Sequence, residues 1–495
     1  MTESRFFERE NTWWTPRLAA PVAAAAAVRM ALLAATLARS GTTVIASGDT
    51  ASYLEPGRNL LFHGQFVVAG VAEIGRTPGY ALFLALASWP SPVFAAILQV
   101  CLSAFSVVLV WRLARAALLI RPLKTTVSVL HPSARAPGPE HPAFLSPHES
   151  AIRQDHLFHA GSTANDLCAF RAAWIFAFEP VSVIYSVRLL PETLYLVLLL
   201  LSLERLAAFL RDRRLPALAG CGIALAAATL VRPVSVYLPA LLALGLFLIC
   251  LRVSGLRWKA PAVLLLAALP WLALWQMRNA REAGFEGFSS IATRNLYFYQ
   301  AAEVTARVSH RPFIEVQREF GYPDEREYQI HHPDQSQWSQ AQRLDFMQAE
   351  ANRILRANPW IYLREQAEGS LVAAFTPCAA ELLRLLDAYP QDGAVPRRVV
   401  DEGVAQSALR LAKAHPWQTV VMATLESALL VLLFFAAKGV VRVGMRNRCL
   451  LLLLAVAFYF LMVSGGAQAV GRYRLPVMPI VCMLAAVGCK RNPAF

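Results

Sequence analysis

Residues 190–210 read LPETLYLVLLLLSLERLAAFL. The stretch opens on Pro191 and Glu192, runs through an almost unbroken apolar centre, and leaves through Arg205, Arg211, Arg213 and Arg214. A helix rises about 1.5 Å per residue and a bilayer's hydrocarbon core is about 30 Å thick, so a run of this length fits a membrane crossing. Its basic exit is the pattern of a cytoplasmic end, because Lys and Arg accumulate on that side. Nine other apolar runs accompany it: Leu18–Ala38, Pro92–Ala114, Ala172–Val187, Leu215–Val231, Val234–Leu251, Ala260–Met277, Thr419–Ala437, Cys449–Ser464 and Leu475–Gly488.

The composition agrees. The chain has 495 residues, 56% hydrophobic and only 16% charged, too few charges to cover a soluble domain of this size. The net charge of +14 reflects cytoplasmic loops and does not indicate nucleic acid. Eight cysteines form no CxxC pair. Cys101, Cys221, Cys250, Cys449, Cys482 and Cys489 lie in or beside apolar runs, where a thiol acts as a small hydrophobe. Cys378 falls in the long non-cytoplasmic region with no evident disulfide partner, so neither a disulfide scaffold nor a cysteine metal site is expected. The first apolar run is too long for the core of a cleavable signal and reads as a retained helix behind Trp13-Trp14.

Basic clusters follow every second run: Arg112, Arg115, Arg121 and Lys124; Arg205 to Arg214; Arg252, Arg257 and Lys259; Lys438, Arg442, Arg446 and Arg448; Lys490 and Arg491. The expected fold is therefore an all-α polytopic membrane protein of about ten transmembrane helices with a mostly helical periplasmic cap. Residues 1–277 form an N-terminal transmembrane module with a first outer loop at 39–78 and a cytoplasmic loop at 116–171. Residues 278–418 form the extracytoplasmic region, and 419–495 the C-terminal transmembrane helices. Localisation is expected in the cell inner (plasma) membrane, with the odd-numbered exits facing the periplasm or exterior.

Gly79–Trp89 is apolar but too short to span, so it lies along the interface or enters part way. His131–Asp166 is rich in Pro, Ser and His. Its histidines (His131, His141, His148, His156, His159) lack ligand spacing and predict no metal site. Within the cap, Leu344, Met347, Ile354 and Leu355 give Ser339–Ala357 a helical period, and Leu371–Pro377 reads as a partly inserted stretch. No internal repeat is visible.

The unusual polar residues gather on the outer side. Asp49 is expected to cap a short helix, and a carboxylate there can serve as a general base for an acceptor hydroxyl. Arg76, in Gly75-Arg76-Thr77-Pro78-Gly79-Tyr80, presents a planar fork of donors suited to phosphate oxygens. Arg472 and Arg474 flank Tyr473 on the outer face against the positive-inside tendency, which an anionic partner would explain. Glu192 opens its span where the helix dipole favours an acid. Arg278-Asn279 closes the seventh run. Arg29, Glu179 and Arg232 lie inside or beside apolar runs, where polar groups are paired or functional, and Arg29 is expected to reach an acidic neighbour. An outward acid and several arginines above an apolar bundle suit an amphiphile with a surface phosphate. A lipid phosphate is a good leaving group, so one base and cationic stabilisation suffice, whereas glycoside hydrolases typically use two carboxylates.

With these residues in this order, the sequence resembles the GT-C superfamily of lipid-linked-sugar glycosyltransferases, which includes protein O-mannosyltransferases and aminoarabinose transferases. The matching pieces are Asp49-x-x-x-Tyr53, Arg76-x-Pro78-Gly79-Tyr80, Leu190-Pro191-Glu192-Thr193-Leu194-Tyr195, Val231-Arg232-Pro233, Pro270 to Arg278-Asn279, and Arg472-Tyr473-Arg474-Leu475-Pro476. They span nearly the whole chain. The resemblance implies an inverting transfer from a polyprenyl-phosphate sugar to a lipid, polysaccharide or protein acceptor hydroxyl at the outer face. It makes Asp49 the base and Arg76 the donor-phosphate contact, with Tyr53, Tyr80, Glu192, Arg278, Arg472, Tyr473 and Arg474 as substrate-binding residues. Thr50 stands where many relatives carry a second acid, and Gly75 and Thr77 flank Arg76 where many have an acid–lysine–proline run. No metal ligand is assigned, and a divalent metal cofactor is disfavoured. The alternative is a transporter or flippase of a lipid-linked saccharide, in which Arg29 and Glu179 would matter most.

Overall fold

The computed structural model describes residues 14–46, 48–118, 165–251, 253, 255–376, 378–390, 404–445 and 447–489. Helices make up nearly all of it. The only strands among the described residues are the pairs Val67–Val68 and Val71–Ala72, joined antiparallel with Val67 opposite Ala72.

Six of the ten apolar runs become helices long and apolar enough to cross a membrane: Pro16–Ser40, Pro92–Ala117, Glu192–Asp212, Pro233–Cys250, Lys259–Ala283 and Pro416–Val443. A seventh crossing comes from Asn165–Ala177 and Pro180–Ser186 if that pair, bent by 52°, counts as one span. The remaining three runs give the shorter apolar helices Leu215–Val231, Arg448–Val463 and Met478–Gly488. Proline accounts for the first of these: the residue before a proline is driven out of helical geometry, and Arg232 before Pro233 is extended at φ −139°, ψ 123°. The described residues thus form a multi-pass, almost entirely helical protein with six to seven full-length candidate spans.

The bend in the split span has a local cause. Pro180 starts the second half, and the Glu179 carboxylate caps it, accepting from Val181 N at 3.0 Å and Ser182 N at 2.6 Å. Arg29 of the first span is fully buried against this break. It donates to Ala177 O at 2.7 Å, Ser182 Oγ at 2.8 Å, Ser103 Oγ at 2.7 Å and its own Ala25 O at 3.1 Å. The expected acidic neighbour is Glu179, within electrostatic reach of Arg29; the direct hydrogen bonds of the guanidinium go to carbonyls and hydroxyls, while Glu179 accepts from backbone amides. Three spans are tied together at that point.

Above the bundle, the chain from Ser290 to Phe375 folds into short helices with their own core, in which Tyr297, Tyr328, Leu344, Met347 and Ala351 are buried. Ile74 of the first outer loop belongs to the same core, so that loop is part of the cap. Gln340–Ala357 begins with a capping box between Ser339 and Gln342. Leu371 and its neighbours up to Phe375 are the last residues of the Pro359–Phe375 helix, with Leu371 and Phe375 exposed. Pro78–Ala87 is a short helix whose Tyr80, Ala81, Leu84 and Ala85 are buried against the bundle. All but the last two residues of the histidine-rich stretch lie outside the described residues, as do Arg121, Lys124, Arg252, Arg446, Lys490 and Arg491.

One close approach fixes the last outer loop. A Cβ at Gly369 would lie 2.1 Å from Gly466 N and 2.3 Å from Gly466 O, so the Pro359–Phe375 helix meets that loop backbone to backbone. Gln366 of the same helix donates to Met462 O at 2.5 Å, and Ser370 to Leu461 O at 3.0 Å. Gly369→Ala is expected to cost about 1–3 kcal/mol through overpacking, read as a lower midpoint in thermal unfolding of the detergent-solubilised protein. An unchanged midpoint would show that helix and loop do not meet this closely.

Candidate functional site

The first outer loop enters the Gly48–His63 helix, which places Asp49 in the first turn. Asp49 therefore does not serve as the expected N-cap. Its Oδ1 accepts from Arg76 Nη2 at 2.7 Å, and the carboxylate remains 43% exposed, open to a second partner. Arg76 is held on three sides. Its Nε donates to Ser52 Oγ at 3.0 Å, its Nη1 to Tyr53 Oη at 3.1 Å, and its guanidinium lies 4.6 Å from the centre of the Tyr53 ring. Burial works against this cation, but Tyr53, Asp49 and Glu73 hold its pKa above the ordinary guanidinium value.

The turn that presents Arg76 is built by Glu73, whose Oε1 accepts from Gly75 N at 2.5 Å and Arg76 N at 2.8 Å. Ser289 Oγ donates to Gly75 O at 2.5 Å, and Ser290 N to Ile74 O at 2.9 Å. The same Ser289 caps the short Ser290–Asn295 helix. Arg294 on that helix is thereby brought to the wall beside Arg76, within electrostatic reach of both Arg76 and Glu73.

From the far end of the sequence, Arg472 reaches the same place. Its Nη2 is 3.9 Å from Asp49 Oδ2, and its Nε is 3.9 Å from Glu192 Oε1. Glu192 is buried and also receives Arg232 Nη1 at 3.2 Å. Arg472 Nε and Glu192 Oε2 are buried without a hydrogen bond, which is uncommon for such atoms and marks a polar junction that the protein alone leaves incomplete.

These groups border a cavity of about 1170 Å³, larger than the ~300–1,000 Å³ usual for small-molecule sites. Asp49, Arg76, Arg472 and Tyr473 line it. Tyr53 and Glu192 stand directly behind, as partners of Arg76 and Arg472. The other expected residues do not line the cavity. Tyr80 packs edge-on to Tyr53 and donates to Gln99 Oε1 at 2.8 Å in the core. Arg278 donates to Glu73 O at 2.7 Å and Phe66 O at 2.5 Å, clamping the first outer loop over Trp275. Arg474 is buried and bonded to Thr376 O. Cys378, one of the free thiols, is buried nearby, and burial pushes its pKa up to about 12.

Sequence reasoning missed several cavity residues, including Arg188, Arg294, Arg307 and Arg384. Arg188 and Arg384 share Glu381, each at 2.7 Å. Arg307 bridges Glu303 at 2.9 Å and Glu368 at 2.8 Å. Among the described residues, Arg294 is the one cavity guanidinium with no hydrogen bond or ion pair. Nothing in SSIATRNLYFYQ distinguishes it from an ordinary cap residue; only the Ser289–Gly75 tie does. Among the described residues, no group of three or more His, Cys, Asp or Glu is arranged to hold a metal ion.

No protein-family model matches the chain, and no curated protein matches it. Among solved structures, ArnT from Cupriavidus metallidurans in the apo state is similar at 14% identity, with 89% of this chain and 73% of that chain covered and a TM-score of 0.30. At that score the likeness does not bear on the reading of the site.

Arg278→Ala is expected to speed amide hydrogen exchange across residues 66–75, where the clamp is lost, while exchange in the Pro359–Phe375 helix stays as in the parent. Faster exchange confined to that helix would place Arg278 in the cavity instead.

Proposed function

We propose that this protein is an inverting glycosyltransferase, which moves a sugar from a polyprenyl-phosphate donor to an acceptor hydroxyl at the outer face of the membrane. The observation that carries this reading is the Asp49 carboxylate held between Arg76 and Arg472 at the edge of a large polar cavity. The apolar helices offer a place for the lipid tail, and the cavity a place for the sugar.

Charge supports an anionic ligand. Arg76 at 2.7 Å and Arg472 at 3.9 Å flank Asp49, and Arg294 lies beside Arg76. Together they offer a cationic corner to the single negative charge of a glycosyl phosphodiester. Arg294, which has no hydrogen bond or ion pair among the described residues, would take a phosphate oxygen most readily, with Arg76 and Arg472 completing the contact.

The chemistry then needs one base. The acceptor hydroxyl gives its proton to an Asp49 oxygen as its own oxygen attacks the anomeric carbon. The bond from that carbon to the phosphate oxygen breaks, and its electron pair leaves with the phosphate, which gains a second negative charge. Guanidiniums already in place stabilise that charge as it develops. The new glycosidic bond forms on the opposite face, and Asp49 later returns its proton to solvent.

Asp49→Asn is expected to reduce transfer by about 10²–10⁴-fold without moving the thermal midpoint, measured with polyprenyl-phosphate sugars in proteoliposomes. Full activity in that variant would remove Asp49 as the base. Arg294→Ala is expected to raise the donor KM by about tenfold through loss of a charge-assisted contact; an unchanged donor dependence would take Arg294 out of the phosphate site. Labelled lipid crossing the bilayer with no new glycosidic bond would favour translocation over transfer.

A further inference from the structure

The cavity wall contributed by the cap differs in chemistry from the arginine-rich corner at Asp49. It begins in an unusual piece of backbone. Residues Leu296–Ala301 form a π-helical turn between Ser290–Asn295 and Ala302–Ser309, a rare conformation frequently found at functional sites. The turn sends Tyr297 into the cap core and leaves Tyr299 half-buried on the cavity. Gln317 Nε2 donates to Phe298 O at 3.0 Å and braces it. Tyr299, Glu303 and Arg307 then follow at four-residue spacing and share one face.

Tyr299 Oη donates to Tyr322 Oη at 2.9 Å, and the two rings meet edge to face with centroids 5.5 Å apart. Phe313 lies beside them, 6.5 Å from Tyr299. The Tyr322 hydroxyl hydrogen is left to donate elsewhere. Next along the wall, Arg307 is pinned between Glu303 and Glu368, and Arg364 adds a second cation to Glu368 at 2.7 Å. Two guanidiniums leave part of the Glu368 carboxylate's roughly four lone-pair sites for other donors. Tyr299 also lies within electrostatic reach of Asp49 and Tyr473, so this wall adjoins the proposed reacting corner.

We propose that this wall is the acceptor subsite and that the acceptor is an uncharged, hydroxyl-rich saccharide. Tyrosine faces would stack on the apolar faces of its rings, while Glu303 and Glu368 would accept from its hydroxyls. The proposal rests on the glycosyltransferase reading and narrows its acceptor. Glu303 and Glu368 already engage Arg307 and Arg364, so this wall holds no surplus cation for an anionic acceptor.

The test is binding, with no donor present. Full-length protein in nanodiscs is applied to an array of hexose- and pentose-containing oligosaccharides and to an array of Ser/Thr peptides. The proposal expects saturable retention on a subset of glycans. Tyr299→Ala and Tyr322→Ala should each weaken that retention by about tenfold, and Tyr322→Phe, which keeps the ring, should lose less than Tyr322→Ala. Retention on peptides alone, no retention on either array, or glycan retention indifferent to both tyrosine variants would each overturn it. Because the readout requires no transfer, glycan binding that persists while Asp49→Asn remains fully active would sink the catalytic reading and leave the subsite standing.

Discussion

Arginine does not give up its charge inside a protein, and the architecture depends on where each guanidinium goes. Arg29 is placed in the heart of the bundle and spends its donors on carbonyls and hydroxyls of three spans. Arg232 sits at a proline break and meets Glu192. Arg278 and Arg474 hold loop carbonyls. In the first three cases the cation is neutralised or satisfied by protein, while Arg474 keeps a buried Nε without a hydrogen bond. Where that satisfaction is incomplete, around Arg294 and Arg472, the cavity lies open.

The cavity is assembled by ties between segments that are distant in sequence. Ser289 joins the first outer loop to the cap, and the meeting of Gly369 with Gly466 joins the cap to the last outer loop. Asp49, Arg294 and Arg472 converge because those ties converge. The apolar helices below contribute few side chains to the cavity; their task is to present three loops at one height.

Much of this was legible in the sequence. The apolar runs marked the helices because bilayer length is a strong physical requirement, and Asp49, Arg76 and Arg472, polar groups singled out between apolar runs, do meet at one cavity. Other features were not legible, for identifiable reasons. Hydropathy cannot tell a full span from a buried helix shortened by a proline, so Leu215–Val231 and Met478–Gly488 read like their longer neighbours. Arg278 looked like a site residue because a charged group at a helix exit has many possible partners, and only the fold supplies the carbonyls of Phe66 and Glu73. Arg294 carried no signal at all, since its importance comes from lacking a partner, and a sequence does not display partners.

The distance in sequence between Asp49 and Arg472 has a consequence for biogenesis. The acid emerges with the first span and the arginine with the last outer loop, more than four hundred residues later. Until that loop is made and seated against Gly369, Asp49 faces only Arg76, and the polar corner is open on one side. A partly inserted chain therefore lacks the second cation of this corner, and the full constellation forms only once the last loop is seated.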